Sequence, residues 1–244
     1  MKMEERHFAD TCAEHFMQVA RQWGIEHKVS TLTTDSARNM VAAARQLPFE
    51  HMPCIAHSLH RAITASLQNN PFNSALAKCR KVIGHFKHSL PNALELEQQQ
   101  IAHFHKKESL TRDISTRWNS TLEMIKHVLR NQEPLTGALA LHTTNVTMPT
   151  TAELEKLKKL ETVLEHCRYI TELLGGEKFV SCSVVLPALC HLSRVMEVSE
   201  DDPAYMVKFK ETLKAEMESA RKKLTSCDSG LQQHSILGLR ILSV

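Results

Sequence analysis

No apolar run in the chain approaches the ~18–20 residues that a membrane-spanning helix needs. Nor does it open with the charged, apolar and small-residue succession of a secretory leader, so a soluble intracellular domain without a membrane partner is expected. A strong charge of one sign is also missing. The net charge of +3 is too small to predict nucleic-acid binding by itself, although 15 histidines add positive charge in mild acid. Paired cysteine spacing is absent as well. Seven cysteines, an odd number, point to reduced thiols in the cytosol or nucleus and away from a disulfide framework. What is there is 244 residues, enough to bury one good core or two smaller ones.

The stretch from Leu32 to Leu67 carries the most information. Lys28-Val29-Ser30-Thr31-Leu32-Thr33 is short and β-branched, and Asp35-Ser36 follows as a pair suited to capping a helix start. Ala37, Met40, Val41, Ala44 and Leu47 then recur at the spacing of one helical face, which Pro48 ends. His51-Met52-Pro53-Cys54-Ile55-Ala56 reads as a second brief extended segment. Helical spacing resumes at Leu59, Ala62, Ile63, Ser66 and Leu67. A strand-helix-strand-helix order at these distances predicts an α/β sheet layer with Asp35 at a strand-to-helix junction.

Most of the remainder is helical by pattern. Phe8, Cys12, Phe16, Val19 and Trp23 mark one face of a first helix, closed by Gly24 as a C′ residue. Residues 73–106 predict two helices, with Leu76, Cys79, Val82, Ile83 and Phe86 on the first and a break at Pro91. Trp118 opens a helix whose face is Leu122, Ile125, Val128 and Leu129. Leu154, Leu157, Leu160, Leu164, Cys167 and Ile170 form a long stripe, and Tyr205, Phe209, Leu213, Met217, Ala220 and Leu224 another, both read as bundle core. The polar, Thr-rich TTNVTMPTT at 143–151 reads as a linker, and Gly175-Gly176-Glu177-Lys178 as a second flexible join. The expected division is a partial core at 1–70, helices leading away at 71–142, the linker at 143–151 and a helical domain at 152–244. The tail from Ser226 loses helical periodicity and ends in an apolar LGLRILSV with no assigned function.

Three ordered motifs, Thr34-Asp35-Ser36-Ala37-Arg38-Asn39-Met40, Pro53-Cys54-Ile55-Ala56-His57-Ser58-Leu59 and Thr116-Arg117-Trp118-Asn119-Ser120-Thr121, resemble those of the hAT superfamily of DNA transposases. More closely they resemble its domesticated relatives, the zinc-finger BED-domain-containing proteins. A looser likeness through Tyr169–Leu174 and Val184–Pro187 extends the resemblance over roughly residues 5–225. It implies an RNase H-like catalytic fold interrupted by a large helical insertion, here a partial core of few strands followed by that insertion, mostly helical overall. In the family three carboxylates hold two divalent metal ions for phosphodiester chemistry, which needs several acidic ligands converging on one point. Asp35 matches the second of them. The first belongs on an earlier strand, where this chain has a helix. Nothing matches the third, since Ser219-Ala220-Arg221 lacks the glutamate, and Glu172 falls in the helical region, where the family has no metal ligand. The chain is therefore expected to be a fragment of a longer protein, without the BED finger or the C-terminal dimerisation segment. Alone it would be catalytically incompetent, with no cofactor of its own; Mg2+ or Mn2+ would enter only if a longer form completed the triad.

Plainer roles stand beside these. Asp35 is a vestigial metal-ligand position that also suits a helix cap, worth about 0.5–2 kcal/mol. Cys54 and His57 form a C-x2-H pair of unclear role, whereas structural zinc takes four ligands, usually as two pairs. Cys79, His85 and His88 are the nearest candidates for a second pair, and their spacing fits no usual zinc pattern. The preferred alternative makes Cys54 a small buried strand residue and His57 a locally bonded one. By resemblance Arg117 and Trp118 lie close to DNA, where Trp118 could stack on a flipped base; the alternative packs Trp118 between helices under Arg117. Lys158-Lys159 and Arg221-Lys222-Lys223 could contact phosphates or simply be solvated.

Three functions follow. The leading one is a transposase-derived nuclear protein, catalytically inactive, that binds DNA weakly or through the missing finger, or binds protein partners, in transcriptional regulation. The alternatives are part of an active hAT transposase and a transposon remnant without function. Dimerisation would need the full-length C-terminus.

Overall fold

The computed structural model describes residues 8–68, 71–114, 117–141, 144–175, 182–225 and 242–243. In chain order these form α1 (Ala9–Gln22), β1 (Thr31–Thr34), α2 (Arg38–Ala44), β2 (Glu50–Pro53), α3 (Ile55–Gln68), α4 (Asn73–Lys87), α5 (Leu90–Ala102), α6 (Trp118–Arg130), α7 (Gln132–Ala140), α8 (Thr151–Gly175), α9 (Cys182–Val195), α10 (Ala204–Thr225) and β3 (Leu242–Ser243). Helices dominate, and the strands are few and short. Two compact units arise, and neither follows chain order: the first takes residues 1–62, 170–194 and 214–244, the second 63–169 and 195–213. The join expected at Gly176–Lys178 and the tail at 226–241 lie outside the described residues.

In the first unit β1 is central, flanked by β2 and β3, with both pairings parallel. Thr31 to Thr34 pair in register with Glu50 to Pro53, and Leu32 and Thr33 pair with Leu242 and Ser243. The tail that sequence left unassigned thus contributes a strand. No strand precedes β1 among the described residues. Threonine fits a pleated, half-buried surface, but here at a cost, because the Thr31 and Thr33 hydroxyls are buried without a hydrogen-bond partner.

Leu32 of β1 packs with Cys12 and Ala13 of α1, Ala43 and Ala44 of α2, and Leu47. The face that α1 buries is turned from the expected one. Ala9, Ala13 and Met17 join Cys12 and Phe16 in this cluster, whereas Phe8 and Trp23 are 61% and 64% exposed. Small side chains on both helices permit the close approach of α1 to α2 that bulky residues would prevent, so alanine, not the aromatics, sets the contact face. As expected, Gly24 ends the helix at φ +61°. Its N–H donates to Arg21 O and that of Ile25 to Ala20 O, a Schellman pair that satisfies two otherwise free carbonyls.

The second unit is helical. α4 buries Leu76, Cys79, Val82, Ile83 and Phe86 on the predicted stripe. The break to α5 comes two residues before Pro91: Ser89 is the N-cap and Pro91 sits in the first turn, where its missing N–H costs nothing. Leu122, Met124, Ile125 and Val128 of α6, and Leu157, Leu160 and Leu164 of α8, are fully buried. Each stabilises by about 1.5–3 kcal/mol relative to exposure. Phe72 meets Tyr205 and Phe209 of α10 edge-on at 5.6 and 5.9 Å. Side chains at 220–225 lie outside the described residues, including Arg221, Lys222 and Lys223.

The segment expected as a linker at 143–151 lies within this second unit. There Thr150 and Glu153 form a reciprocal capping box at the start of α8: Thr150 N–H donates to Glu153 Oε2 at 2.8 Å and Glu153 N–H to Thr150 Oγ1 at 3.3 Å. Glu153 also accepts from Lys78 Nζ at 2.6 Å and Ser74 Oγ at 2.8 Å. The lysine first, then the Thr150 amide, hold its carboxyl down at about 2.

A buried polar network ties α5 to the end of α6. Gln100 Nε2 donates to Asn131 Oδ1 at 2.9 Å, and Asn131 Nδ2 donates to Glu108 Oε1 at 2.6 Å and His127 O at 2.9 Å. Gln100 and Asn131 are each 1% exposed. Beside them His127 Nδ1 is buried without a hydrogen-bond partner, 3.9 Å from Glu108 Oε1. Burial pushes the imidazole below its usual range against the weaker opposing pull of Glu108, so it is neutral in the fold and the contact with Glu108 is no ion pair.

Asn131→Ala removes the side-chain acceptor of Gln100 Nε2 and the amide donor to Glu108 Oε1, leaving Gln100 only its bonds to the Glu108 backbone, and should cost roughly 1–3 kcal/mol in urea unfolding. Because the folded state disfavours protonated His127, the stability it supports is fully present above the ordinary value near 6.5 and is lost progressively as pH falls from there through the lowered folded value. Thermal melts from pH 7.5 to 5.5 should show a falling Tm, and His127→Gln should shrink the fall.

Candidate functional site

Two places gather the residues singled out by sequence, one in each unit. In the first, Asp35 directly follows the C-terminal end of β1 and Cys54 that of β2, where open α/β sheets place ligands. The ladder brings them together, since Cys54 N–H donates to Thr34 O at 2.8 Å. Asp35 is not the helix cap. Its Oδ1 accepts the Ala37 N–H at 3.0 Å, and the helix begins only after Ala37, which is extended at φ −64° and ψ 138°. The side chain therefore closes an Asx turn one residue ahead of the N-cap, a role open to Asp because its short arm reaches its own backbone two residues on.

Thr34 Oγ1 lies 2.8 Å from His51 Nε2 and donates to Asp35 O at 2.9 Å. One hydroxyl proton serves one acceptor, so the arrangement requires His51 Nε2 to carry the proton. Burial, and then the nearby Arg45 charge, push this imidazole below its usual range.

Cys54 is half-buried between β2 and α3, its carbonyl accepting both the N–H and the Oγ–H of Ser58 at 3.0 Å. His57 is exposed in the first turn of α3. The extended segment expected through Ala56 stops at Pro53, because Ser58 turns the chain back onto Cys54 O. Of the residues considered for a second zinc pair, Cys79 is fully buried, and burial pushes its thiol up to about 12, against the opposing pull of Arg80. With its side chain fully enclosed in the core of α4, it presents no sulfur to the surface that carries Cys54 and His57. His85 Nε2 is engaged with Asn92 Nδ2 at 3.0 Å, and His88 is exposed. Among the described residues no three His, Cys, Asp or Glu side chains gather to hold a metal ion.

The second place surrounds Asp113, which sequence reasoning passed over. Its side chain is 2% exposed. Arg80 Nε of α4 donates to Oδ2 at 2.6 Å and Thr121 Oγ1 of α6 to Oδ1 at 2.8 Å. Ser120 Oγ takes the Ile114 N–H at 2.7 Å and donates to Arg117 O at 2.6 Å. The Ser-Thr of the Arg-Trp-Asn-Ser-Thr run thus staples the turn before α6 onto a buried carboxylate. An acid spaced seven and eight residues ahead of a Ser-Thr pair at a helix start was the available signal. Within the turn Arg117 is exposed and Trp118 is 3% exposed. Stacking on a base would require the indole to leave a core position worth a large share of its 150–250 Å². A cavity of about 250 Å³ near Phe86, Leu96 and Gln100 brings in no further chemistry, since its Glu97 and Lys107 are paired with each other.

Asp113→Ala should destabilise by roughly 2–3 kcal/mol in denaturant unfolding. That is below the usual loss for a broken buried pair, because the half-exposed Arg80 can turn into water.

Residues 52–163 match the family model of the ZBED1 RNase-like helical domain. Zinc finger BED domain-containing protein 6 of Homo sapiens is 29% identical over 103 residues, covering 42% of this chain and 10% of that protein. The Mus musculus protein of the same name matches with the same identity and coverage, 29% over 103 residues. The match thus spans about a tenth of the curated relatives' length. It covers β2 from Met52, the Cys54-His57 junction, the Asp113 staple and the Arg117-Trp118 turn. With these motifs and this match, residues 52–163 are similar to the RNase-like helical domain of the zinc finger BED domain-containing proteins.

Proposed function

We propose that the chain is part of a transposase-derived nuclear protein that has no catalytic activity of its own and acts by binding, to DNA or to protein partners, in transcriptional regulation. In this reading β1, α2, β2 and α3 are what remains of an RNase H-like core, and the helices of the second unit are its insertion. The observation that carries the proposal is the donor set at the sheet's carboxyl edge. Two-metal phosphodiester chemistry needs acids converging on one point, and Asp35 stands there with a cysteine and a histidine as its neighbours in the motifs, one carboxylate oxygen held by its own turn. The described residues supply no cluster of three donors. Any magnesium or manganese would have to draw its other ligands from outside the described residues.

Trp118 and Arg117 support binding more than chemistry. The buried indole fixes the start of α6, and the exposed guanidinium is left facing solvent beside it. No helix of the described residues is long and apolar enough to cross a membrane.

Incubation of the chain with linear and hairpin DNA in magnesium or manganese should leave both substrates intact. Metal-dependent nicking that Asp35→Ala abolishes would overturn the proposal in favour of an active transposase.

A further inference from the structure

Charge is not spread evenly along this chain. Residues 51–94 contain no aspartate or glutamate, yet they carry Arg61, Lys78, Arg80, Lys81 and Lys87, so the rest of a chain of net charge +3 is net acidic. Within the second unit the acid-free stretch supplies α4, one face of which is buried while Asn73, Ser74, Ala77, Arg80, Lys81, Lys87 and His88 are exposed. Two acids reach this helix from other elements, and both are consumed: Glu153 by Lys78, and Asp113 by Arg80. Glu97, which lines a cavity with Lys87, is paired with Lys107. Lys81 and Lys87 are left exposed with no ion pair among the described residues. So are Arg112 and Arg117, on the strip that Asp113 docks against Arg80. Lys81 and Lys87 lie about 9 Å apart along α4 and about 120° apart around it, on the two flanks of its exposed face.

Four uncompensated cations on one rigid helix and the strip bolted to it make a surface for a polyanion. Trp118, Phe72 and Phe86 are 3%, 0% and 3% exposed, so no aromatic ring is offered here for stacking on unpaired bases and charge is the means of contact. We propose that Lys81, Lys87, Arg112 and Arg117 form a contact surface for the phosphate backbone of duplex DNA that is indifferent to base sequence. The proposal rests on the DNA-binding reading above and deepens it by naming the surface and the part of DNA it touches. Contacts of this kind release condensed counterions, so log K falls with log salt with a slope of about −0.9 per phosphate, or roughly −3.6 for four contacts.

The test is fluorescence anisotropy of two unrelated 20-base-pair DNA duplexes titrated with the full chain between 50 and 200 mM salt. Wild type should bind both alike with a slope near about −3.6, Lys81→Ala/Lys87→Ala should flatten it by about 1.8, and Arg112→Ala/Arg117→Ala should do the same. Lys158→Ala/Lys159→Ala on α8 should leave it unchanged; all variants alter exposed side chains, and circular dichroism melts confirm that they fold. DNA binding with an unaltered slope in both α4-side variants overturns the surface and leaves DNA binding standing. Absence of wild-type binding at 50 mM salt overturns both. A tenfold preference for duplex RNA, or for one DNA sequence, overturns the choice of partner or the indifference to bases.

Discussion

A carboxylate taken out of water must be met by a cation and by hydrogen-bond donors, and the second unit is arranged around that requirement at Asp113. Removing one partner of such a group costs several kcal/mol, so the turn before α6 is obliged to lie where Arg80 and Thr121 can reach it. Two residues earlier on α4, Lys78 does the same for Glu153, which at once caps α8 and docks it. One helix therefore positions the starts of two others. The core stripes of α6 and α8 fix which face each helix buries; the polar pairs fix where each helix starts. Stability comes from leucine, isoleucine and phenylalanine, and alignment from two carboxylates.

The first unit obtains its order differently. Its strands β1 and β2 are four residues long and β3 is two, short of the usual five or six. Their ladder is extended by Glu50 N–H to Ser30 O at one end and Cys54 N–H to Thr34 O at the other. The last of these links joins the two motif segments, so the acid of one and the thiol of the other are neighbours because of backbone pairing, without any bond between their side chains. A site assembled this way keeps its geometry after its chemistry is lost, which is the state proposed for Asp35.

The element order of the first 68 residues was legible in the sequence, and so were the stripes of α4, α6 and α8 and the described part of that of α10, because apolar periodicity is a local signal. Two kinds of feature were not. Faces that depend on a partner, such as the alanine contact of α1 with α2, looked worse by hydrophobicity than the Phe8–Trp23 face that ended in solvent. Polar residues whose partners are distant in sequence gave no pattern at all: Gln100 and Asn131 are 31 residues apart, and Lys78 and Glu153 75. The Thr150-x-x-Glu153 box was local and readable, yet a run of threonines around it suggested a linker. At the candidate site, Asp35 was placed correctly at the strand end but assigned the wrong turn, since Asp favours a cap and an Asx turn for the same reason, a carboxylate on a short arm.

The chain passes between its two units four times, near residues 62, 169, 194 and 213, and each passage falls inside a helix: α3, α8, α9 and α10. Neither unit is a contiguous stretch of sequence. An exon junction, a recombination point or a cloning boundary drawn between residues 63 and 213 would leave both units lacking a part. The matched segment at 52–163 takes in most of one unit and a fragment of the other. No single cut within that span leaves either unit whole, so the two are inherited and expressed together.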